Sequence, residues 1–319
     1  MPSGVPPSIG VSGVTSRKPN FQPMCLLTGE IDLIKRLPPL TACGLIWFLL
    51  HNCPHAFGQG QSGAKEEPQI QDNSFFVEEA YNQERRVVQH ISTFSRMWNS
   101  KDWSYSFTQE WPAPGNWRHQ LSYTLVGMHA GAHSGTSGGV GDTVFNYRYQ
   151  VIGTSESPVA FSPRLSLLFP TGDVAAGRGL GAVGVQTNLP VSIVLHRRVV
   201  THWNAGSTFV PHAQNADYFR ASSIGYNFGQ SVIFVAHPRF NLMLETCANT
   251  FQNVVESGRT KWSRSAYMSP GVRWALNFES GLQIVPGVAM PIGIGPSAGE
   301  KGVFLYLSFE HPFGRVAER

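Results

Sequence analysis

The chain has 319 residues, which fits one large domain or two ordinary ones. Only 14% of its residues are charged, against about 25% in ordinary soluble domains, and 12% are aromatic. Such a composition disfavours a water-exposed surface and is typical of a β-barrel whose outer face touches lipid. The formal net charge of +4, without basic clusters interleaved with aromatics, argues against nucleic acid as a partner.

Three of the four cysteines lie within the first 53 residues, so Cys247 is alone in the remainder of the chain. A single cysteine forms neither an internal disulfide nor a metal cage. We therefore expect a mature protein without disulfides, metal sites or cofactors.

Residues 1–58 are predicted to be a signal-peptide region. Lys35 and Arg36 precede a short apolar core, and Ala56-Phe57-Gly58 places small residues three and one before a cut. We expect cleavage after Gly58, with Met24 as an alternative start for an over-long N-terminus.

Residues 59–86 form a polar segment with two acidic pairs, Glu66-Glu67 and Glu78-Glu79. The segment has neither strand alternation nor long helical periodicity. We predict either a short helix around Phe75 to Glu84 or a plug in the mouth of a pore.

Residues 87–313 alternate between apolar and polar positions, as in Phe145, Tyr147 and Tyr149 against Asn146 and Arg148. The runs of 10 to 14 residues suit tilted membrane crossings better than ordinary globular strands. The predicted strands are 87–97, 103–111, 117–129, 141–152, 159–169, 185–196, 199–210, 221–236, 239–250, 266–279, 282–293 and 302–313.

The connections between these strands alternate in length. Short ones include Arg197-Arg198 and Ser280-Gly281, whereas Ala130–Val140, Pro170–Gly184 and Phe251–Ser265 are longer. The sequence thus predicts an all-β fold: a single antiparallel up-and-down transmembrane β-barrel of about 12 strands, with short periplasmic turns and longer extracellular loops.

Charged and polar residues fall on the face opposite the apolar one, because a midplane arginine facing lipid costs about 2–4 kcal/mol. These residues are predicted to line the lumen: Arg118, Arg148, Arg164, Arg239, Glu245, Arg273 and Asn277.

The last strand ends at Phe313, with residues 314–319 as a tail. An aromatic-ended final strand is the kind of signal that the barrel insertion machinery reads. The expected partners are therefore this machinery during assembly, outer-membrane lipid and a small-molecule solute.

Several stretches resemble the outer-membrane family named for the meta-cleavage pathway of phenol degradation, whose members are labelled transporters. The stretches are FFVEEAYNQE (75–84), FPTGD (169–173), NLPVS (188–192), THWNAG (201–206) and the tail from Pro291 through GPSAG (295–299) to FEHPF (309–313). The resemblance implies a barrel in the cell outer membrane and uptake of hydrophobic or aromatic compounds.

The first functional hypothesis is accordingly an outer-membrane channel or facilitator for small molecules, hydrophobic or aromatic ones among them, and not an enzyme. A second hypothesis is a surface scaffold or adhesion barrel that transports nothing. A third is an outer-membrane hydrolase, because His90 and Ser92 share one strand face and could pair a base with a nucleophile.

Overall fold

A computed structural model describes residue 70 and residues 74–114, 116–129 and 138–313. The predicted signal region 1–58, the tail 314–319 and most of the predicted loop Ala130–Val140 lie outside the described residues. The described part forms one antiparallel sheet that closes on itself.

Within the described residues, the wall contains seventeen strand segments. Ten of them are pairs of pieces that share one crossing, and seven are continuous, so the wall has twelve crossings as predicted. The segments are β1 (Val87–Met97), β2 (Trp103–Pro112), β3 (His119–His129), β4 (Gly139–Val140), β5 (Thr143–Tyr149), β6 (Val159–Phe161), β7 (Arg164–Phe169), β8 (Gly184–Asn188), β9 (Val191–His196), β10 (Val199–Gln214), β11 (Arg220–His237), β12 (Phe240–Glu256), β13 (Arg259–Trp274), β14 (Leu276–Asn277), β15 (Gln283–Ala289), β16 (Ile292–Gly293) and β17 (Gly302–Pro312).

Each crossing pairs with its neighbours in the chain, and the first pairs with the last. The β1–β17 ladder runs without a register shift from Val87 opposite Pro312 to Met97 opposite Gly302. This ladder closes the barrel and leaves no open sheet edge, which is the arrangement a membrane-spanning sheet requires.

The barrel is apolar outside and polar inside. In β7, Leu165 and Leu167 are 47% and 39% exposed, whereas Ser166 between them is 0% exposed. A strand alternates its side chains between the two faces, so this pattern assigns leucine to the outer face and serine to the interior.

The two rims differ, and the longer strands lie on one side of the wall. At the short-turn rim the connections are 113–118, 150–158, 197–198, 238–239 and 278–282. At the opposite rim 170–183 forms a long loop as predicted, but the predicted loop Phe251–Ser265 is wrong. There β12 and β13 continue as a hydrogen-bonded hairpin to a two-residue turn, Ser257-Gly258, in which Gly258 has φ +74°.

Helical structure is minimal: the described residues contain one 3-10 turn, Gly295–Ser297. None of their helices has the length and apolarity needed to cross a bilayer.

Candidate functional site

Four of the seven residues predicted to line the lumen lie inside the barrel. Arg148, Arg273 and Glu245 are 3%, 1% and 0% exposed. Arg164 is partly buried, and its Nη1 lies 2.8 Å from Glu78 Oε1. All four project from the inner face of the wall towards residues 74–84.

The other three residues lie at the short-turn rim. Arg118 precedes β3 and stacks over Trp117 at 5.2 Å from the ring centroid. Arg239 is exposed in the turn between β11 and β12. Asn277 is exposed in β14, where its Oδ1 accepts a hydrogen bond from Gln283 Nε2 at 2.7 Å. These three placements differ from the predicted lumen position because Arg118 and Arg239 each lie one residue before a strand begins, and Asn277 is the last residue of its crossing.

Residues 74–84, named here the inner segment, cross the interior of the barrel. They form bends around 75–77 and at Ala80 instead of the predicted short helix. Their backbone groups bond to side chains of the wall, so they have no need of the hydrogen bonds within a helix.

Side chains of the wall form hydrogen bonds with successive backbone groups of the inner segment. Glu245 accepts the N–H groups of Phe76 and Val77. Asn204 bonds both ways with Glu78, accepting its N–H at 2.8 Å and donating to its carbonyl at 2.9 Å.

The pattern continues towards the short-turn rim. Gln150 accepts the N–H of Asn82 at 2.9 Å and donates to the carbonyl of Ala80 at 2.7 Å. Arg148 Nη1 donates to the carbonyl of Tyr81 at 2.7 Å. Buried amide side chains thus supply the inner segment with the backbone hydrogen bonds that a neighbouring strand would otherwise supply.

Two glutamates of the inner segment face the arginines of the wall. Glu78 contacts Arg164 at 2.8 Å and Arg148 at 3.9 Å. Glu79, only 5% exposed, lies 3.6 Å from Arg273 Nη2. Buried charges of opposite sign offset each other's desolvation, so neither set is stable in this position without the other.

Ser192 joins the inner segment to the wall at its centre. Its Oγ accepts the N–H of Ala80 at 2.8 Å and lies 2.7 Å from His202 Nδ1. The Tyr81 hydroxyl also bonds to Ser192.

Ser192, His202 and Glu79 have the residue types of a hydrolase triad, but their geometry is that of a structural contact. His202 Nε2 is 3.8 Å from Glu79 Oε1, and Ser192 and His202 are 0% and 1% exposed. Since Ala80 covers the serine oxygen, a substrate has no approach to it. Ser192 and His202 of the wall thus hold the inner segment in place through Ala80 and Glu79.

The other end of the inner segment packs against apolar side chains. Phe75 lies 5.6 Å from Phe304 and 5.5 Å from Tyr306, measured between ring centroids. Two wall glycines make room for its ring: a Cβ added at Gly271 or Gly287 would lie 2.6 or 2.5 Å from a Phe75 ring atom.

Cavities remain on both sides of the inner segment. One of about 110 Å³ is bounded by Glu78 and Arg164 and by amides from β8, β10, β11 and β12. A second of about 30 Å³ lies towards the short-turn rim, beside Tyr81, Ser155 and Glu310. The inner segment separates these two spaces.

The proposed nucleophile and base of the hydrolase hypothesis do not bond to each other in the described part of the chain. Ser92 Oγ lies 3.3 Å from Tyr105 Oη, and His90 Nε2 lies 3.2 Å from His311 Nε2. Both residues project from the outer face of β1.

The fold resembles that of solved outer-membrane channels. The COG4313 outer membrane channel from Pseudomonas putida F1 matches with a TM-score of 0.53 and 12% identity, over 73% of this chain and 98% of that one. The chain has the fold of an outer-membrane β-barrel channel.

The NanC porin matches with a TM-score of 0.47 and 7% identity, over 70% of this chain and all of that one. No family model matches the sequence, and no curated protein matches it either. At 7% and 12% sequence identity, the similarity to these two structures concerns the fold alone.

Sequence reasoning missed the wall partners Ser192, His202 and Asn204. All three lie within the stretches NLPVS and THWNAG, and the inner segment itself is FFVEEAYNQE. Three of the stretches that carry the family resemblance therefore meet inside the barrel, and their resemblance was the available signal.

Proposed function

We propose that this chain is an outer-membrane channel or facilitator for small molecules, with the inner segment as its constriction. The observation that carries the proposal is a polar, charged interior, divided by a hydrogen-bonded segment with a cavity on either side. A barrel of twelve crossings is wider than side-chain-filled eight-stranded barrels and narrower than sixteen-stranded porins. Such an interior suits small solutes.

The proposal places the barrel in the outer membrane after export through a cleaved signal peptide. The exposed apolar side chains of the outer face, such as Leu165 and Phe228, supply the lipid contact. The insertion machinery would recognise the last strand, which leads to Phe313. The proposed role is transport without catalysis.

The lining of the larger cavity is mixed. It contains five amide side chains, two threonine hydroxyls and the Glu78–Arg164 ion pair, and it also contains Phe76 and Phe251. The hydrogen-bonding and charged groups can bind a polar solute, whereas the aromatic rings offer apolar surface, and we base our expectation of a polar solute on the more numerous polar groups. The family resemblance implies hydrophobic or aromatic solutes instead, so the solute class is decided by direct comparison.

The test is uptake into liposomes of a small aromatic solute and a polar solute of equal size, with and without the folded protein. We expect the polar solute to enter faster. Faster entry of the aromatic solute would support the solute class of the resembled family. Arg164→Ala should change the entry rate, whereas Arg259→Ala, in an exposed ion pair with Glu256, should not.

The scaffold hypothesis predicts that neither solute enters and that planar bilayers show no conductance. The inner segment supports it as the second candidate, because it fills part of the interior. If neither solute enters and no conductance is measured, the channel proposal is wrong and the barrel acts through its surface.

A further inference from the structure

Two histidines meet on the outer face of the barrel where its first and last strands pair. His90 belongs to β1 and His311 to β17, and both are partly buried. His90 pairs with Phe309 and His311 with Val88, so the two imidazoles are diagonal neighbours across the ladder. They lie close to the short-turn rim, where water reaches the wall.

The nitrogen edges of the two rings face each other. The Nε2 atoms are 3.2 Å apart, whereas the ring centroids are 5.3 Å apart with an angle of 22° between the planes. Because the nitrogens are so much closer than the centroids, both Nε2 atoms lie between the rings.

The surroundings hold the rings in this orientation. His311 Nδ1 lies 3.4 Å from the carbonyl of Pro312, which favours a proton on Nδ1 and a free lone pair on Nε2. His90 stacks against Phe107 with a centroid distance of 6.0 Å. The ring nitrogen of His311 that faces away from His90 thus has a backbone carbonyl as its partner, as is common for metal-binding histidines.

We propose that His90 and His311 bind a divalent transition-metal ion such as Zn²⁺ or Cu²⁺ across this seam. Bonds of about 2.0–2.1 Å to a tetrahedral ion separate two nitrogens by about 3.3 Å, close to the observed 3.2 Å. Imidazole nitrogen selects zinc, copper or nickel over the oxygen-preferring Ca²⁺ and Mg²⁺. A small rotation of each ring brings both lone pairs onto the ion.

The site is open because the described residues supply two ligands to it. Among the described residues, no group of three or more His, Cys, Asp and Glu side chains is placed to hold a metal. Water completes the coordination, so the ion exchanges readily. It would connect the two strands that close the barrel and stabilise the closed form by mass action, whatever the barrel transports.

The experiment is calorimetric titration of the folded barrel in detergent with ZnCl₂. We expect one ion per chain, with affinity at least about tenfold weaker in His90→Ala and in His311→Ala. The double variant should bind no ion at this site, because both ligands are removed. Zn²⁺ should also raise the urea midpoint of unfolding in the wild type and not in the variants.

His129→Ala is the matched control, since His129 also lies on the outer face and stacks on an aromatic ring, Trp103 at 6.3 Å. It should bind Zn²⁺ as the wild type does. The electron paramagnetic resonance spectrum of Cu²⁺ on the wild type should show two nitrogen ligands, a readout that needs no variant to fold. Absence of binding, or stoichiometric binding that persists in the double variant, would overturn the proposal.

Discussion

The inner segment is held differently at its two ends. From Glu78 to Gln83 it meets hydrogen-bonding and charged side chains, among them Gln120 of β3, Asn204 of β10 and Arg273 of β13. At Phe75 it meets aromatic rings of β17 and glycines of β13 and β15. The polar contacts are directional and fix the register of the segment. The apolar contact depends on shape and buried area, and it fixes how deeply the Phe75 ring inserts against the wall.

This difference indicates how the inner segment can close the lumen and still move to open it. Buried hydrogen bonds are costly to leave unpaired, so the polar end moves only when water or a polar solute replaces its partners. The apolar end needs no replacement partner. Variants of the two ends should therefore differ in stability, conductance and response to polar solutes.

The largest effect is expected from Arg273→Met in the polar network. It removes the guanidinium that lies 3.6 Å from the buried Glu79 carboxylate, and breaking a buried pair in this way costs about 3–5 kcal/mol. Urea unfolding in lipid vesicles measures the loss. Arg259→Met breaks an exposed pair and should cost less than about 1 kcal/mol; equal losses would contradict a special role for the interior pair.

At the apolar end, Phe75→Ala should lower the free energy of unfolding by about 3 kcal/mol, the usual range for emptying a buried aromatic site. It should also raise the conductance in planar bilayers, because one end of the inner segment is released. Phe278→Ala, at an exposed rim position, is the control. An unchanged conductance would mean that the polar contacts alone hold the constriction closed.

Gly287→Ala tests the apolar contact of Phe75 by changing the wall instead of the inner segment. The added methyl would lie 2.5 Å from Phe75 Cε1, and such overpacking costs about 1–3 kcal/mol. Most of this cost should vanish in a Phe75→Ala background, as a double-mutant cycle would measure.

The control for this cycle is Gly127→Ala, because the nearest atom to its added Cβ is 4.0 Å away. A penalty at Gly287 that is independent of Phe75 would place the clash in the strand backbone instead.

The smallest effect is expected from Ser192→Ala, about 1 kcal/mol for the lost bonds to Ala80, Tyr81 and His202. Thermal or urea unfolding measures it. Ser162→Ala is the matched control, since Ser162 is equally buried and its hydroxyl has no hydrogen-bond partner in the described part of the chain. If the two variants lose the same stability, the contact of Ser192 with the inner segment contributes nothing.

The wall could be predicted well where one face meets lipid. The bounds of β1, Val87–Met97, and the turn Arg197-Arg198 agree with the sequence prediction, because alternation is strong where one face is apolar and the other polar. The stretch 251–265 was predicted as a loop between two strands. It instead continues β12 and β13 as paired strands, with Phe251 and Val254 buried in an apolar cluster.

The contents of the lumen could be predicted only in part. Alternation assigned Arg148, Arg164, Glu245 and Arg273 to the inner face, but it carries no information on what these residues contact. The pairing of Ser192 with His202 also depends on a register shift between Val199 and Val200, which no residue type announces. The inner segment has no periodic pattern because its partners are side chains of the wall.

The distance along the chain between interior partners bears on how the barrel folds. Phe76 and Glu245, which hydrogen-bond, are 169 residues apart in sequence, whereas hairpin neighbours in the wall are separated by a turn. Contacts of such high sequence separation form slowly, because the loop-closure entropy is lost before any bond rewards it. We expect the interior to be completed late in folding, by a segment that precedes the first strand and reaches partners on strands that follow much later.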